Sequence, residues 1–407
     1  MGRFYVSYEE ALSLILDRGS NLGFEVVDLL SARGRFLAED LCADRDWPEV
    51  PLSAMDGYAV RGEDLERFRK FRLIAEAPAG TKFSGFLGKA EAVKVFTGSP
   101  VPREADTVVP VEYAREGNGF VEFLRVFPKG SNVRQVGEDY SKGRTLLRKG
   151  DLLTPSEIAL IASIGRSSVK VYRKPVVGIV ATGNEVVEPE SSVTSLQVRN
   201  ANAYSLYALV EESGAVPVYL GIVKDSLEEV RKLLDRALAD CDVVVTSGGV
   251  STGDYDFVKD VIDEIGVEKV FYKVKVKPGK PVLFGERMGK FIFALPGFPV
   301  STIVAFSLFV FPFLRKLSGA RREFWFKKRV KGKLLSGYSR KKAERTEFVR
   351  CNYVYDLDRG EYLISPLTRQ GSGVLSSLKG RKALMVVPAG VKEFPPGDCV
   401  EVILVKE

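Results

Sequence analysis

A chain of 407 residues is too long for one ordinary hydrophobic core and predicts about two to four domains. Its 45% hydrophobic and 28% charged residues are those of a globular protein. The surplus of 60 Lys+Arg over 53 Asp+Glu is spread along the chain, which points to a local anion site rather than to nucleic acid. Histidine is absent altogether, which excludes Ser-His-Asp and Cys-His catalysis, imidazole zinc sites and histidine proton shuttles. Chemistry is left to carboxylates, lysines, hydroxyls, backbone amides or a hard cation on oxygen ligands. Cys42, Cys241, Cys351 and Cys399 form no CxxC pair, so neither a disulfide framework nor structural zinc is expected. The N-terminus carries acidic Glu9 and Glu10 and no apolar signal core, so a cytoplasmic protein is expected.

In chain order, Ser7 and Glu10 have capping-box spacing ahead of a helical face of Leu12, Ile15 and Leu16. A second apolar-periodic stretch, Leu29 to Leu41, also reads as helix. From Trp47 to about Val136 short apolar runs alternate with Pro, Gly and Ser, the texture of a β-rich domain. A helix is predicted from Thr154 to Ile164, with Pro155 at its first position. The middle third then alternates. Strands are predicted at Val176–Ala181, Pro217–Ile222, Asp242–Thr246, Lys273–Lys277 and Phe291–Leu295, and helices at Asn202–Ser213, Ser226–Ala239 and Phe257–Ile265. That order implies a doubly wound, mostly parallel α/β sheet. Phe291 to Leu314 carries no charge, but Pro296, Gly297 and Pro299 break it. The apolar helix left from Val300 is about fifteen residues, short of the ~20 that span a bilayer, so it is read as core. The last stretch returns to short strands and turns, a small β-barrel or sandwich.

Ligands of an open parallel sheet bind beyond the carboxyl ends of its strands. Three such ends carry unusual loops: Thr182-Gly183-Asn184-Glu185, Ser247-Gly248-Gly249-Val250-Ser251-Thr252-Gly253-Asp254, and Leu295-Pro296-Gly297-Phe298-Pro299. Paired glycines and hydroxyls before a helix suit an anion, though a plain glycine turn has the same composition. Glu185, Asp225, Asp254 and Asp256 follow strand ends as well. Carboxylates gathered beside a phosphate call for a divalent cation, and oxygen ligands point to Mg²⁺. Asp254 or Asp225 could equally cap the following helix. Lys273, Lys275 and Lys277 alternate along a predicted strand and so share one face, with Lys280 just beyond; they bind anions or simply face solvent. In the β-rich region the loops around Asp56 and Thr97 set one acidic or hydroxyl group among small residues.

The segments PLSAMDGYAV (51–60), FTGSPVP (96–102), NVRQVGED (132–139), ATGNE (181–185), SGGVSTGDYD (247–256), KPGKP (277–281) and LPGFPVS (295–301) occur in one order along the whole chain. Together they resemble the molybdopterin molybdenumtransferases, the MoeA family related to the E domain of gephyrin. The resemblance implies four domains: a discontinuous N-terminal dimerisation domain (1–44 and 138–174), a β-rich insert (45–137), a doubly wound molybdopterin-binding domain (175–318) and a C-terminal β-barrel (319–407). It implies a homodimer with each site shared between subunits, Mg²⁺, and insertion of molybdate or tungstate into adenylylated molybdopterin with release of AMP. By position, the family's functional residues fall on Asp56, Thr97, Glu185, Asp225, Asp256, Lys273, Lys277, Pro296 and Pro299, with Arg345 and Ser372 proposed for an oxyanion pocket. Asp225 and Asp256 would hold metal. Thr182, Gly183, Ser247, Gly248, Gly249, Ser251, Gly253 and Lys280 would contact the pterin phosphate or the oxyanion. Phe298 stands where the family usually carries asparagine. The preceding adenylyltransferase is the expected protein partner, and neither nucleic acid nor membrane is expected. The competing readings are an adenylyltransferase, which would consume ATP, a non-catalytic molybdopterin-binding scaffold, and an amidohydrolase with a related sheet domain.

Overall fold

The computed structural model describes residues 3–250 and 257–405. The chain forms two compact units, one of residues 1–39, 149–158 and 168–407 and the other of residues 40–148 and 159–167.

The larger unit is built on a seven-stranded sheet. Its strands are β1 (Arg3–Val6), β2 (Val176–Thr182), β3 (Val216–Val223), β4 (Val243–Ser247), β5 (Glu268–Val274), β6 (Leu283–Arg287) and β7 (Lys290–Leu295), in the order β1-β5-β6-β7-β4-β2-β3. Pairing is parallel except where β6 runs against β5 and β7. Successive side chains of a strand point to opposite faces, and the core divides accordingly. Val243, Val245, Phe291, Phe293 and Leu295 join one apolar cluster, while Val244, Ile292 and Ala294 join the other. Helices α1 (Tyr8–Arg18), α3 (Ala201–Glu212) and α6 (Pro299–Leu317) cover the first face; α4 (Leu227–Asp240) and α5 (Phe257–Glu264) cover the second. The short α2 is Pro155–Ser163. The caps follow local chemistry: the Ser7, Asn200 and Ser226 side chains accept from Glu10, Ala203 and Glu229 N–H groups.

The apolar helix α6 is longer than predicted, with a π turn at Phe306–Val310, and 83% of its most apolar window is buried. It is a core helix against which Phe284, Phe291 and Phe293 pack edge-on through Phe313.

Two predicted elements differ. Leu29 to Leu41 is not a helix: only Leu29–Ser31 makes a 3₁₀ turn, after a strand at Phe24–Asp28 that pairs with Ser168–Tyr172. Gly34 turns the chain at φ +76°, and the Leu37 and Ala38 N–H groups find the distant Asp151 and Lys170 carbonyls. Long-range pairing thus overrides the helical period. Lys273–Lys277 is likewise not one strand. β5 ends at Val274, Lys273 sits at φ +67°, and Val276–Lys277 leaves to pair with Thr346–Glu347 of another sheet.

That other sheet closes on itself. Strands Arg329–Leu334, Thr346–Asp356, Glu361–Pro366, Lys382–Val387 and Cys399–Leu404 form a C-terminal barrel, completed by the pairing of Thr346–Asp356 with Lys382–Val387. The smaller unit holds a six-stranded curled sheet from Gly57–Val60 to Phe120–Phe123, with an apolar cluster around Tyr58, Phe71 and Phe123.

Cys241 and Cys351 are buried whereas Cys42 and Cys399 are exposed. Burial pushes the Cys351 thiol up to about 12 and raises that of Cys241. A thiol titration of the native protein at pH 8 is expected to give two fast-reacting groups, and all four only after denaturation.

Candidate active site

β2, β3, β4 and β7 run parallel, so their carboxyl ends share one edge of the sheet. A cavity of about 710 Å³ opens there. It brings together Thr182, Gly183, Glu185, Asp225, Ser247, Gly248, Gly249, Pro296 and Pro299 from the residues singled out by sequence. Ser251, Gly253, Asp254 and Asp256 lie outside the described residues.

The loops are fastened to one another by their own polar groups. Asn184 and Asp225 make a reciprocal pair: the Asn184 N–H donates to Asp225 Oδ2 at 3.2 Å, and the Asp225 N–H to Asn184 Oδ1 at 3.2 Å. Ser226, not Asp225, caps α4, so the Asp225 carboxylate is spent on the loop and the cavity. Gly248 crosses between strand ends at φ +99°, and its N–H donates to the Leu295 carbonyl at 3.0 Å. That amide, expected at the phosphate, is therefore committed to holding β4 beside β7.

Asn202 was not among the predicted site residues. Its Nδ2 donates to Ser247 Oγ and to the Gly297 carbonyl, both at 2.7 Å, so it joins two of the three loops. Its Oδ1 is buried and has no protein partner among the described residues. Position near the start of α3 was its only sequence signal. Arg199 is the single cation among the described residues lining the cavity, and its neighbour Val198 pairs with Val186 in a short ladder over the rim.

The lysines lie elsewhere. Lys273 Nζ sits over the rings of Tyr272 (4.7 Å) and Phe4 (5.1 Å). Desolvation, with Lys280 and Lys259 nearby, holds its ammonium below the usual lysine range. Lys275 and Lys280 both face the Tyr5 ring. Lys277 pairs with Glu347 at 2.8 Å and lines a second cavity of about 720 Å³ at the barrel, with Arg340, Lys341, Lys342 and Arg345. Ser372 lines neither cavity; its carbonyl accepts the Val300 N–H at 3.1 Å. The loop that carries it is held by Arg350, whose buried Nη2 donates to the Arg369 and Gly371 carbonyls at 3.0 and 3.1 Å.

Asp56 and Thr97 belong to the smaller unit and meet each other. Asp56 Oδ1 accepts the Thr97 N–H at 2.8 Å and its hydroxyl at 2.9 Å. The backbone donor first, then the hydroxyl, holds this exposed carboxyl below the usual aspartate range, so it stays ionised well into acid.

Known proteins share this architecture throughout. Residues 6–165 match the MoeA N-terminal region (domain I and II), residues 178–316 a probable molybdopterin binding domain, and residues 333–405 the MoeA C-terminal region (domain IV). A Bacillus subtilis protein named molybdopterin molybdenumtransferase is 34% identical over 94% of this chain and 90% of its own length. A Haemophilus influenzae protein of the same name is 32% identical over 93% of each. A crystal structure of a molybdopterin biosynthesis MoeA protein from Pyrococcus horikoshii superposes with a TM-score of 0.84 at 31% identity, covering 98% of this chain and all of that one. Matched from its first helix to its last strand, with the glycine loops at the same sheet edge, the chain belongs to the MoeA family.

Proposed function

We propose that this protein is a molybdopterin molybdenumtransferase of molybdenum cofactor biosynthesis, which inserts molybdate or tungstate into adenylylated molybdopterin and releases AMP. The observation that carries the reading is the cavity at the carboxyl edge of the sheet, in a chain that matches the family along its length. The glycine loop, Thr182 and Ser247 receive the phosphate-bearing part of the pterin. Asn202 and the Asn184–Asp225 pair keep the loops in register without cost at the moment of reaction.

Mg²⁺ fits the donor set. Glu185 and Asp225 line the cavity, and magnesium commonly takes one or two carboxylates with the rest of its shell from phosphate and water. When bound, it would neutralise the bridging phosphates. Asp225 and Glu185 are the described residues that would hold it, with Asp256 as the further ligand. The basic cavity at the barrel, flanked by Lys277 and Arg345, is the reading's oxyanion pocket: five cationic side chains surround it against Glu344 and Glu347. Ser372 acts there through its loop. Lys273, with its lowered ammonium, and Lys280 stand by as anion contacts. Asp56 and Thr97 complete the site from the partner subunit of a homodimer. The exposed row Phe24, Val26 and Leu30 supports such a dimer, since apolar side chains 62–90% exposed in one segment favour a covered face. The four-domain division (1–44 with 138–174, 45–137, 175–318, 319–407) belongs to the same reading.

AMP release from adenylylated molybdopterin with Mg²⁺, with and without molybdate or tungstate, tests it. Oxyanion-dependent release is expected, reduced about tenfold or more in Asp225→Asn. ATP consumption with plain molybdopterin, and no AMP release from the adenylylated form, would overturn it in favour of an adenylyltransferase.

A further inference from the structure

Phe298 is 63% exposed, yet it stands on a loop whose backbone carbonyls at 296, 297 and 298 are all hydrogen-bonded. The buried Thr302 donates its hydroxyl to the Pro296 carbonyl at 2.6 Å and to the Phe298 carbonyl at 3.0 Å. The Thr302 N–H also reaches the Phe298 carbonyl at 3.0 Å, and Asn202 holds the intervening Gly297 carbonyl. Pro296 and Pro299 stiffen the segment at both ends. The ring rests on Gly373, where a Cβ would lie only 3.6 Å from Phe298 Cδ1, and Arg350 secures that glycine's loop from beneath.

The ring lines the sheet-edge cavity, and it is the only aromatic among the described residues that do. A large apolar side chain left in water gains nothing for the fold. Carried on a backbone held by these bonds and seated on Gly373, it offers the cavity a flat face at reduced ordering cost.

We infer that Phe298 is a substrate-positioning residue whose ring stacks on a flat heteroaromatic ring of the substrate. This deepens the function proposed above and rests on it for the identity of the ring, adenine or pterin. The stacking itself is independent of the metal-insertion chemistry, because it concerns binding alone.

Calorimetric titration of the whole protein with AMP and, separately, with molybdopterin distinguishes the two rings. Phe298→Ala is expected to weaken one of these ligands about tenfold and leave the other within about twofold. Phe298→Trp keeps or improves the affinity, and Phe298→Leu, which keeps bulk but not the flat face, resembles alanine. In steady state the loss falls on KM, with kcat within about twofold of wild type. Unchanged binding of both ligands in Phe298→Ala and Phe298→Leu, or no binding of either by wild type, would sink the inference. Ring-dependent binding without oxyanion-dependent AMP release would leave it standing and defeat the insertase reading instead.

Discussion

Gly248→Ala is expected to lower oxyanion-dependent AMP release by about 10²-fold or more while the protein still folds. A Cβ at this position would lie 2.6 Å from Thr182 Oγ1 and 3.0 Å from the Thr182 carbonyl oxygen, and the backbone sits at φ +99°. Neither neighbour can swing aside. Thr182 ends a strand paired on both sides and directs its hydroxyl to the Ser247 carbonyl at 3.4 Å. The Gly248 N–H is itself tied to Leu295, so relief must come from moving the ends of β2, β4 and β7 apart. Strain of this kind costs about 1–3 kcal/mol, a tolerable loss for the fold. A displacement near 1 Å of groups that position a reacting phosphate is worth about 10² in rate. Gly297→Ala is the matched control for stability, because its Cβ would meet only Gly248 Cα at 3.7 Å. The checks are kcat/KM and Tm together. A Gly248→Ala enzyme with wild-type rate would show that the loop is not part of the reacting geometry.

Asp242→Asn is expected to destabilise the larger unit by about 2–3 kcal/mol at neutral pH, with a loss that shrinks in acid. Asp242 is 6% exposed and sits at the opposite edge of the sheet from the cavity. Arg173 donates to both of its oxygens at 3.0 Å, the Val176 N–H at 2.9 Å, and Lys290 at 3.4 Å. Its own backbone joins the Val176 carbonyl and the Phe291 N–H, so one residue ties the starts of β2, β4 and β7. Burial alone would raise its pKa; the Arg173 hydrogen bonds, the Val176 amide and the positive charges outweigh burial and hold it below 3.8. The figure stays modest because the Arg173 side chain is 40% exposed and water screens part of the pair. A carboxylate with a depressed folded-state pKa stabilises fully above its unfolded value. The contribution drains away as pH falls through the folded value. Denaturant titrations of wild type and Asp242→Asn should therefore differ fully at pH 7, begin to converge as pH falls past about 3.8, and meet only below the still lower folded-state value. A gap independent of pH would place the effect in packing.

Both predictions concern features that sequence reading reached only halfway. The loops Thr182–Glu185, Ser247–Val250 and Leu295–Pro299 were legible because a glycine or proline after an apolar run is a local signal, and strand alternation aligned them at one edge. The cap Ser7 was legible from its spacing to Glu10, whereas α4 takes Ser226 rather than the Asp225 that the sequence offered. What escaped was set by distant partners. The period of Leu29 to Leu41 gave no hint of Asp151 or Lys170. Lys273, Lys275 and Lys277 have the spacing of a strand, yet the positive φ of Lys273 and the pull of Thr346 divide them between two sheets. Asn202 joins Ser247 to Gly297 across gaps of 45 and 95 residues, and Arg350 holds its loop from inside the core. Such roles have no motif of their own.

Among the described residues the short strand Arg3–Val6 has its only partner in Glu268–Val274, parallel and with Phe4 opposite Tyr272. During synthesis this strand emerges long before its partner exists. At about 5–20 residues per second the wait is on the order of tens of seconds. The edge of the seven-stranded sheet therefore closes only after about two thirds of the chain has been made, and no vectorial, first-made-first-folded order can complete the larger unit. Its assembly is intrinsically a late event, governed by a pairing of very high contact order.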